Sequence, residues 1–492
     1  MKNRICFLAF TVFFAAVNVC AREAAFAGKF YTADKAALTA FVDKALVEAS
    51  PAKPAGKVLA VLVPHAGYPY SGRVAAYAYK IIDDRYDLVV MLATGHTKQV
   101  KGVALLATGF YETPLGRVPV DEKFSRGLMK TDPLFTDDAD AHLREHAVEV
   151  QLPFLQRRLK KPFKLVAGVM NSENLPDLLK IGRILAEKLK GRKALLVISS
   201  DMSHYPEHEA ARAVDLTQAL ALQTMSPEYF QLTDRVLMSK GVPGLETCAC
   251  GSAAMTAGLE AAKQLGAGEF VNLKYADSYD EAPQISEKGR VVGYLSGAFI
   301  VNEKAEPYKI IYDDGRRDLL LKTARAVITE MLDESRPKAE LAKIDYAMNL
   351  PAAVFVTLTK KGSLRGCIGT VEPQMALLDA VKYAAVSAAF SDQRFEPLTE
   401  EELPEVKIEI SALSRLERIA SAKKITPVQH GVVVRNGDNS GLFLPQVWEQ
   451  IPEKEDFLGE LCSQKAGLSR DCWKDPKTEL YTFTVEAFSE KR

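Results

Sequence analysis

Four short, uninterrupted apolar runs constrain this chain more than any other feature. Residues 57–63 (KVLAVLV), 87–94 (DLVVMLAT), 163–169 (FKLVAGV) and 194–199 (ALLVIS) are brief, continuous and rich in β-branched side chains. Strands buried on both faces read this way. Between them, 72–83, 174–190 and 207–225 carry apolar residues at helical spacing. Strands alternating with helices predict a three-layer α/β domain around a largely parallel sheet. Later strands at 270–276 and 290–301 close it, and the polar stretch 302–308 (NEKAEPY) opens a linker.

At 492 residues the chain exceeds one ordinary core. The expected domains are 28–303 and 312–492, joined by a linker at 304–311. The second half has a different rhythm: a helix at 316–333, a strand at 352–359, a Gly-rich turn at 364–369 and a helix through Phe390. Strands follow at 406–414 and 479–488, and NGDNS at 436–440 between two apolar runs is a hairpin signal. These elements predict a smaller α+β domain.

Lys2 and Arg4 precede an apolar run at 5–17, too short for a membrane span but suited to a signal-peptide core. Small-residue cleavage sites follow at Val19-Cys20-Ala21 and Ala25-Phe26-Ala27, so residues 1–27 are expected to be a leader and the mature chain exported, periplasmic or extracellular. Lipidation at Cys20 and an uncleaved anchor are the lesser alternatives. Nothing later approaches a span, so no stable membrane insertion of the mature chain is expected. Five cysteines survive cleavage, Cys248, Cys250, Cys367, Cys462 and Cys472, and an odd number leaves at least one without an intramolecular partner. Cys462 and Cys472 are candidates to pair. With 63 basic and 63 acidic residues the chain shows no electrostatic footprint for nucleic acid.

Histidine usage is lopsided. Of seven, all but His430 fall between His65 and His208. His65 lies two residues past the first strand, His96 two past the second, and Asp201 and His204 just past the fourth. Open α/β sheets bind ligands outside the carboxyl ends of their strands, so imidazoles converge on one edge. Cys250 opens an apolar helix running to Leu265, where the helix dipole favours thiolate; the plainer alternative is a small buried residue at a tight helix start. Thiolate beside neutral imidazole suits zinc, copper or iron. His142 and His146 share a helical face, but the order is not HExxH. His146 and Glu149 are expected to face the pocket, and His142 to stay outside.

The motifs PHAGYPYSG (64–72), EHAVEVQLPFL (145–155), SSDMSH (199–204) and CGSAAM (250–255) resemble, in this order, those of the Memo family, over essentially all of 55–301. That family is built like the class III extradiol ring-cleavage dioxygenases. The resemblance implies metal ligation by His65, His96 and Cys250, with His204 and Asp201 lining the pocket. The dioxygenases use two histidines and a carboxylate on non-haem iron(II), so a cysteine departs from them and shifts preference toward copper or redox-active iron.

LRGCIG (364–369) and SDQRFEP (391–397) resemble the AMMECR family over about 310–490. Arg365 and Cys367 there offer a reactive or anion-binding spot, with a tight structural turn as the alternative, and Arg394 with Asp392 a buried ion pair. Both regions on one chain resemble a fusion of two proteins of the AmmeMemoRadiSam system, which implies a radical S-adenosylmethionine partner protein. No CxxxCxxC cluster is present, so this chain is not that radical enzyme.

The expected protein is therefore an exported, metal-binding redox protein acting on a small molecule. Iron or copper, with zinc as a third choice, sits on His65, His96 and Cys250, and His204 and Asp201 serve as acid/base groups. The alternatives are a non-catalytic metal carrier or interaction module, and a zinc hydrolase.

Overall fold

The computed structural model describes residues 21–333 and 345–491. The leader's apolar core and Cys20 lie outside them. The chain forms two compact units. One comprises the described residues through Met202 together with Ala249–Glu287 and Val292–Ala305. The other comprises Ser203–Cys248, Lys288–Val291 and the described residues from Glu306 onward. The protein is α/β in class, with one large mixed sheet and several smaller ones.

The first unit is built on an eight-stranded sheet. Its centre is parallel, in the order Lys57–Val63, Ala194–Ser199, Leu88–Thr94, Lys164–Met170. These are the four continuous apolar runs of the sequence. Every residue of Leu88–Thr94 is buried, which a strand at the heart of a parallel sheet requires. The edges are where the sheet departs from the parallel expectation: Gly293–Val301 and Val103–Leu105 join antiparallel. Register aligns the carboxyl ends, with Val63 and Ala93 both opposite Ser199, and Thr94 opposite Met170.

The predicted helix at 72–83 begins earlier, as Tyr68–Ile81, because Pro69 occupies its first turn, where the missing N–H costs nothing. Leu175–Leu189 starts where the sequence placed it, since the Asn174 side chain accepts from the Asp177 N–H. Lys35–Glu48, Glu122–Thr131 and a small sheet of Ala21–Arg22, Phe110–Thr113 and Gly116–Pro119 were not foreseen.

In the second unit, Pro351–Lys360 pairs antiparallel with Ser363–Gly369, Met375–Ala376 and Val406–Leu413, and Val406–Leu413 with Val485–Ser489. Helices Asp314–Leu332 and Leu377–Phe390 share a core with this sheet. A second, four-stranded sheet runs Glu417–Ile419, Glu479–Phe483, Gly431–Asn436, Asn439–Phe443. The hairpin signal marks its Asn436–Asn439 turn, where Gly437 takes φ +60°.

Two expectations change here. The alternating stretch 479–488 is two strands, Glu479–Phe483 and Val485–Ser489, in different sheets. The LRGCIG run is a strand, not a turn: a Cβ on Gly366 would lie 2.1 Å from the Ala388 carbonyl oxygen, so glycine serves close packing against a helix. Cys462 and Cys472 form a disulfide beside the stacked rings of Trp448 and Phe457. Among the described residues no helix is long and apolar enough to cross a membrane.

Arg365 and Lys360 both pair with Glu402, at 2.8 and 2.9 Å, and draw its carboxyl from 4.5 down to about 2. A depressed carboxyl stabilises the fold above its unfolded pKa, and that contribution is lost as pH falls from about 4.5 toward 2. Glu402→Gln is therefore expected to lower the urea midpoint at pH 7 and to converge on wild type near the acid end of that window; a constant gap at both pH values would refute the linkage.

Candidate metal centre

The strand ends carry the first ligand candidates. His65 follows Lys57–Val63, and its backbone N–H donates to Asp201 at 2.6 Å. Its Nδ1 lies 3.0 Å from the Ser199 hydroxyl. That hydroxyl donates its own proton to the Ala147 carbonyl at 2.7 Å, so its oxygen accepts from His65 Nδ1–H. Gln151 donates to the same oxygen at 3.0 Å and to the Pro64 carbonyl at 2.8 Å. The result fixes one tautomer: His65 Nε2 is left as a lone pair, 3.2 Å from the Cys250 sulfur.

His96 is held by Glu145, which accepts from its backbone N–H at 2.7 Å and from Nδ1 at 2.9 Å. The same fully buried carboxylate lies 3.4 Å from His146 Nδ1. Carboxylate on Nδ1 is the usual support of a metal-binding imidazole. The His96 and His146 rings stack at 4.6 Å and His65 meets both edge-on. One nitrogen from each of His65, His96 and His146 lies within 4.8 Å of the others, an arrangement able to hold a metal ion.

Cys250 sits before the helix rather than in it. Ser252–Gln264 is capped by Gly251, where a Cβ would fall 2.6 Å from Ser200 and 2.7 Å from Thr94. Glycine there lets the sulfur close on the strand ends, 3.7 Å from the Thr94 hydroxyl. Burial lowers the His96 pKa, but its hydrogen bonds to Cys250 and Glu145 outweigh that and raise it to about 10. Burial, followed by the His96 charge, pushes His146 down to about 4. Burial also raises Asp201 to about 7, against the N–H groups of His65 and Ala66. The neighbours of His96 thus favour a positive charge at this point, which fits a bound cation.

The structure brings together His65, His96, His146, Cys250 and Asp201. Glu149 is engaged elsewhere: it accepts from Tyr31 at 2.6 Å and from the N–H groups of Ala25 and Phe26, and pairs with Arg22 at 2.8 Å, both charges buried. Arg22 also donates to the carbonyls of His142 and Glu145, and Phe30 packs on His146 at 4.4 Å. Residues inside the expected leader, Ala21–Ala27, therefore belong to the fold. His142 is a satisfied core residue between Tyr111 and the Ala104 carbonyl. His204 lies in the other unit, its backbone paired with Thr247. Arg365 is committed to Glu402, while the Cys367 N–H donates to Asp392, itself clasped by Arg394.

Glu145, Ser199, Gln151 and Arg22 were missed by sequence reasoning. A carboxylate directly before His146, inside a motif already singled out, was the available signal for Glu145.

A cluster of imidazoles at the strand ends of an α/β sheet, on a chain that also forms a second, antiparallel-sheet unit, defines the class of protein. Residues 22–298 match the family model for Memo-like protein and residues 321–488 that for AMMECR1. The chain belongs to the Memo family and carries an AMMECR1 region after it. A MEMO1 family protein of Aquifex aeolicus is 37% identical over 281 residues, 57% of this chain and 99% of that one. Another from Nitrosopumilus maritimus is 34% identical over 244 residues, 49% and 85% of the two chains. Among solved structures, uncharacterized protein PH0010 of Pyrococcus horikoshii is 35% identical with a TM-score of 0.33, covering 36% of this chain and 93% of that one.

Replacing Glu145 by Gln is expected to weaken metal binding about 10- to 100-fold by loosening His96 and His146. Glu149→Gln should instead lower Tm with little change in affinity. Titrations with iron(II), copper and zinc in parallel check this, and equal effects of the two variants on affinity would contradict it.

Proposed function

We propose that this chain is an exported metal-dependent redox protein whose site uses His65, His96 and Cys250 as ligands for iron or copper. The observation that carries it is the paired restraint on the imidazoles: Ser199 and Glu145 occupy the Nδ1 atoms of His65 and His96, leaving Nε2 of His65 beside the Cys250 sulfur. Fixed tautomers beside a thiol are what a soft, tightly held metal requires. When bound, the metal supplies a Lewis-acid and electron-transfer centre for dioxygen or a small oxygenated substrate. His146 then borders the substrate, and Asp201 holds or releases a proton near neutral pH. Layers of helix on each face of the large sheet complete the dioxygenase-like scaffold in this proposal.

Metal carriage without turnover is the second reading, favoured by the three grouped imidazoles, since such a donor set binds copper or zinc whether or not a reaction follows. The Memo and AMMECR1 regions on one chain support action beside a radical S-adenosylmethionine partner protein.

Anaerobic purification with metal analysis, and oxygen uptake on a panel of catechols, separate the readings. About one iron or copper per chain, with turnover lost in Cys250→Ser, supports the enzyme. Stoichiometric metal without turnover supports the carrier, and full metal retention in Cys250→Ser removes the cysteine from the ligand set.

Export is supported by the Cys462–Cys472 disulfide, which an oxidising compartment favours. Of the two cleavage sites, processing after Ala27 would remove Arg22 and leave Glu149 buried without its counter-charge, a loss of about 3–5 kcal/mol. The mature chain is therefore expected to begin at Arg22, and mass spectrometry finding Gly28 as the first residue would refute this.

A further inference from the structure

The second unit encloses a cavity of ≈ 380 Å³ that shares no residue with the imidazole cluster. Small-molecule sites occupy about 300–1,000 Å³. Three tyrosines line it: Tyr229 on helix Pro227–Ser239, and Tyr308 and Tyr312 ahead of helix Asp314–Leu332. Pro351 and Leu413 add apolar wall, and Arg415 lies just beyond the end of strand Val406–Leu413. The Tyr229 ring is fixed, because its hydroxyl donates to the Pro351 carbonyl at 2.6 Å. The Arg415 guanidinium carbon is 5.0 Å from the centre of that ring.

Arg415 is half-buried and, among the described residues, forms no ion pair. The other charges at the cavity do not satisfy it. Glu486 is taken by Arg317 at 2.6 Å, the exposed Glu417 and Glu228 act on Arg415 only through space without an ion pair, and His430 Nδ1 accepts from the Thr426 N–H at 3.1 Å. Holding a guanidinium away from water without a partner is costly, and its planar fork matches a carboxylate with two parallel hydrogen bonds. Aromatic walls beside it match a flat ring.

We propose that this cavity binds a small aromatic carboxylate, with Arg415 on the carboxylate and the ring among Tyr229, Tyr308 and Tyr312. The walls favour an aromatic acid over a bare inorganic anion, which would leave the tyrosines without contact.

The test is calorimetry on the full chain with phenylacetate, its neutral isostere phenylacetamide, and inorganic phosphate. Saturable binding of phenylacetate is expected, with phenylacetamide at least about tenfold weaker, as loss of a charged hydrogen bond predicts. Phosphate at equal concentration should not displace it. Arg415→Gln should bring the acid and the amide to parity, and Tyr308→Ala should weaken both. Equal binding of acid and amide by wild type, no saturation at millimolar concentration, displacement by phosphate, or a retained preference in Arg415→Gln would each overturn the proposal. The wild-type comparison decides alone if the variant fails to fold.

Discussion

Parallel strands in register impose the constraint on which the first unit depends. Val63, Ala93 and Ser199 lie level across adjacent strands, so whatever follows each strand meets the others within a few ångströms. Loops leaving such an edge carry unpaired backbone groups that must find partners. Here the side chains supply them: Asp201 accepts from His65 and Ala66, and Glu145 from His96 and Ala147. The hydrogen bonds that close the loops also orient the imidazoles, so folding and preorganisation of the site share the same atoms.

Buried charge does the second part of that work. Glu145 and Glu149 are both fully buried, and each is tolerable only because donors surround it. Glu145 gathers histidines and backbone N–H groups; Glu149 gathers Arg22, Tyr31 and the N–H groups of Ala25 and Phe26. Only three residues separate them in sequence, yet one organises the candidate metal centre and the other ties down the N-terminal segment. Arg22, donating to the Glu145 carbonyl, links the two.

Much of this was legible in the residues. Short, continuous β-branched runs read as interior strands, and they place His65, His96 and Asp201 at one edge. The short antiparallel edges were not legible, because Val103–Leu105 and Phe135–Asp137 are too brief to show a period. Glu149 was read as facing the pocket because helical spacing couples it to His146; spacing says nothing of Arg22, more than a hundred residues earlier, which captures it. The break at Thr484 was hidden for a related reason, since alternation persists across a strand that changes sheets. Glycine in LRGCIG signalled a turn, whereas the contact with Ala388 shows that the same lack of a side chain permits close packing.

Because one carboxylate braces both His96 and His146, the two imidazoles are not independent parts. A substitution that shifts Glu145 to suit one ring necessarily disturbs the other, whereas the Nδ1 of His65 rests on a separate group, the Ser199 hydroxyl. The evolutionary freedom of the centre is therefore uneven: its character can be retuned through the serine side by single changes, while the glutamate side can change only in concert.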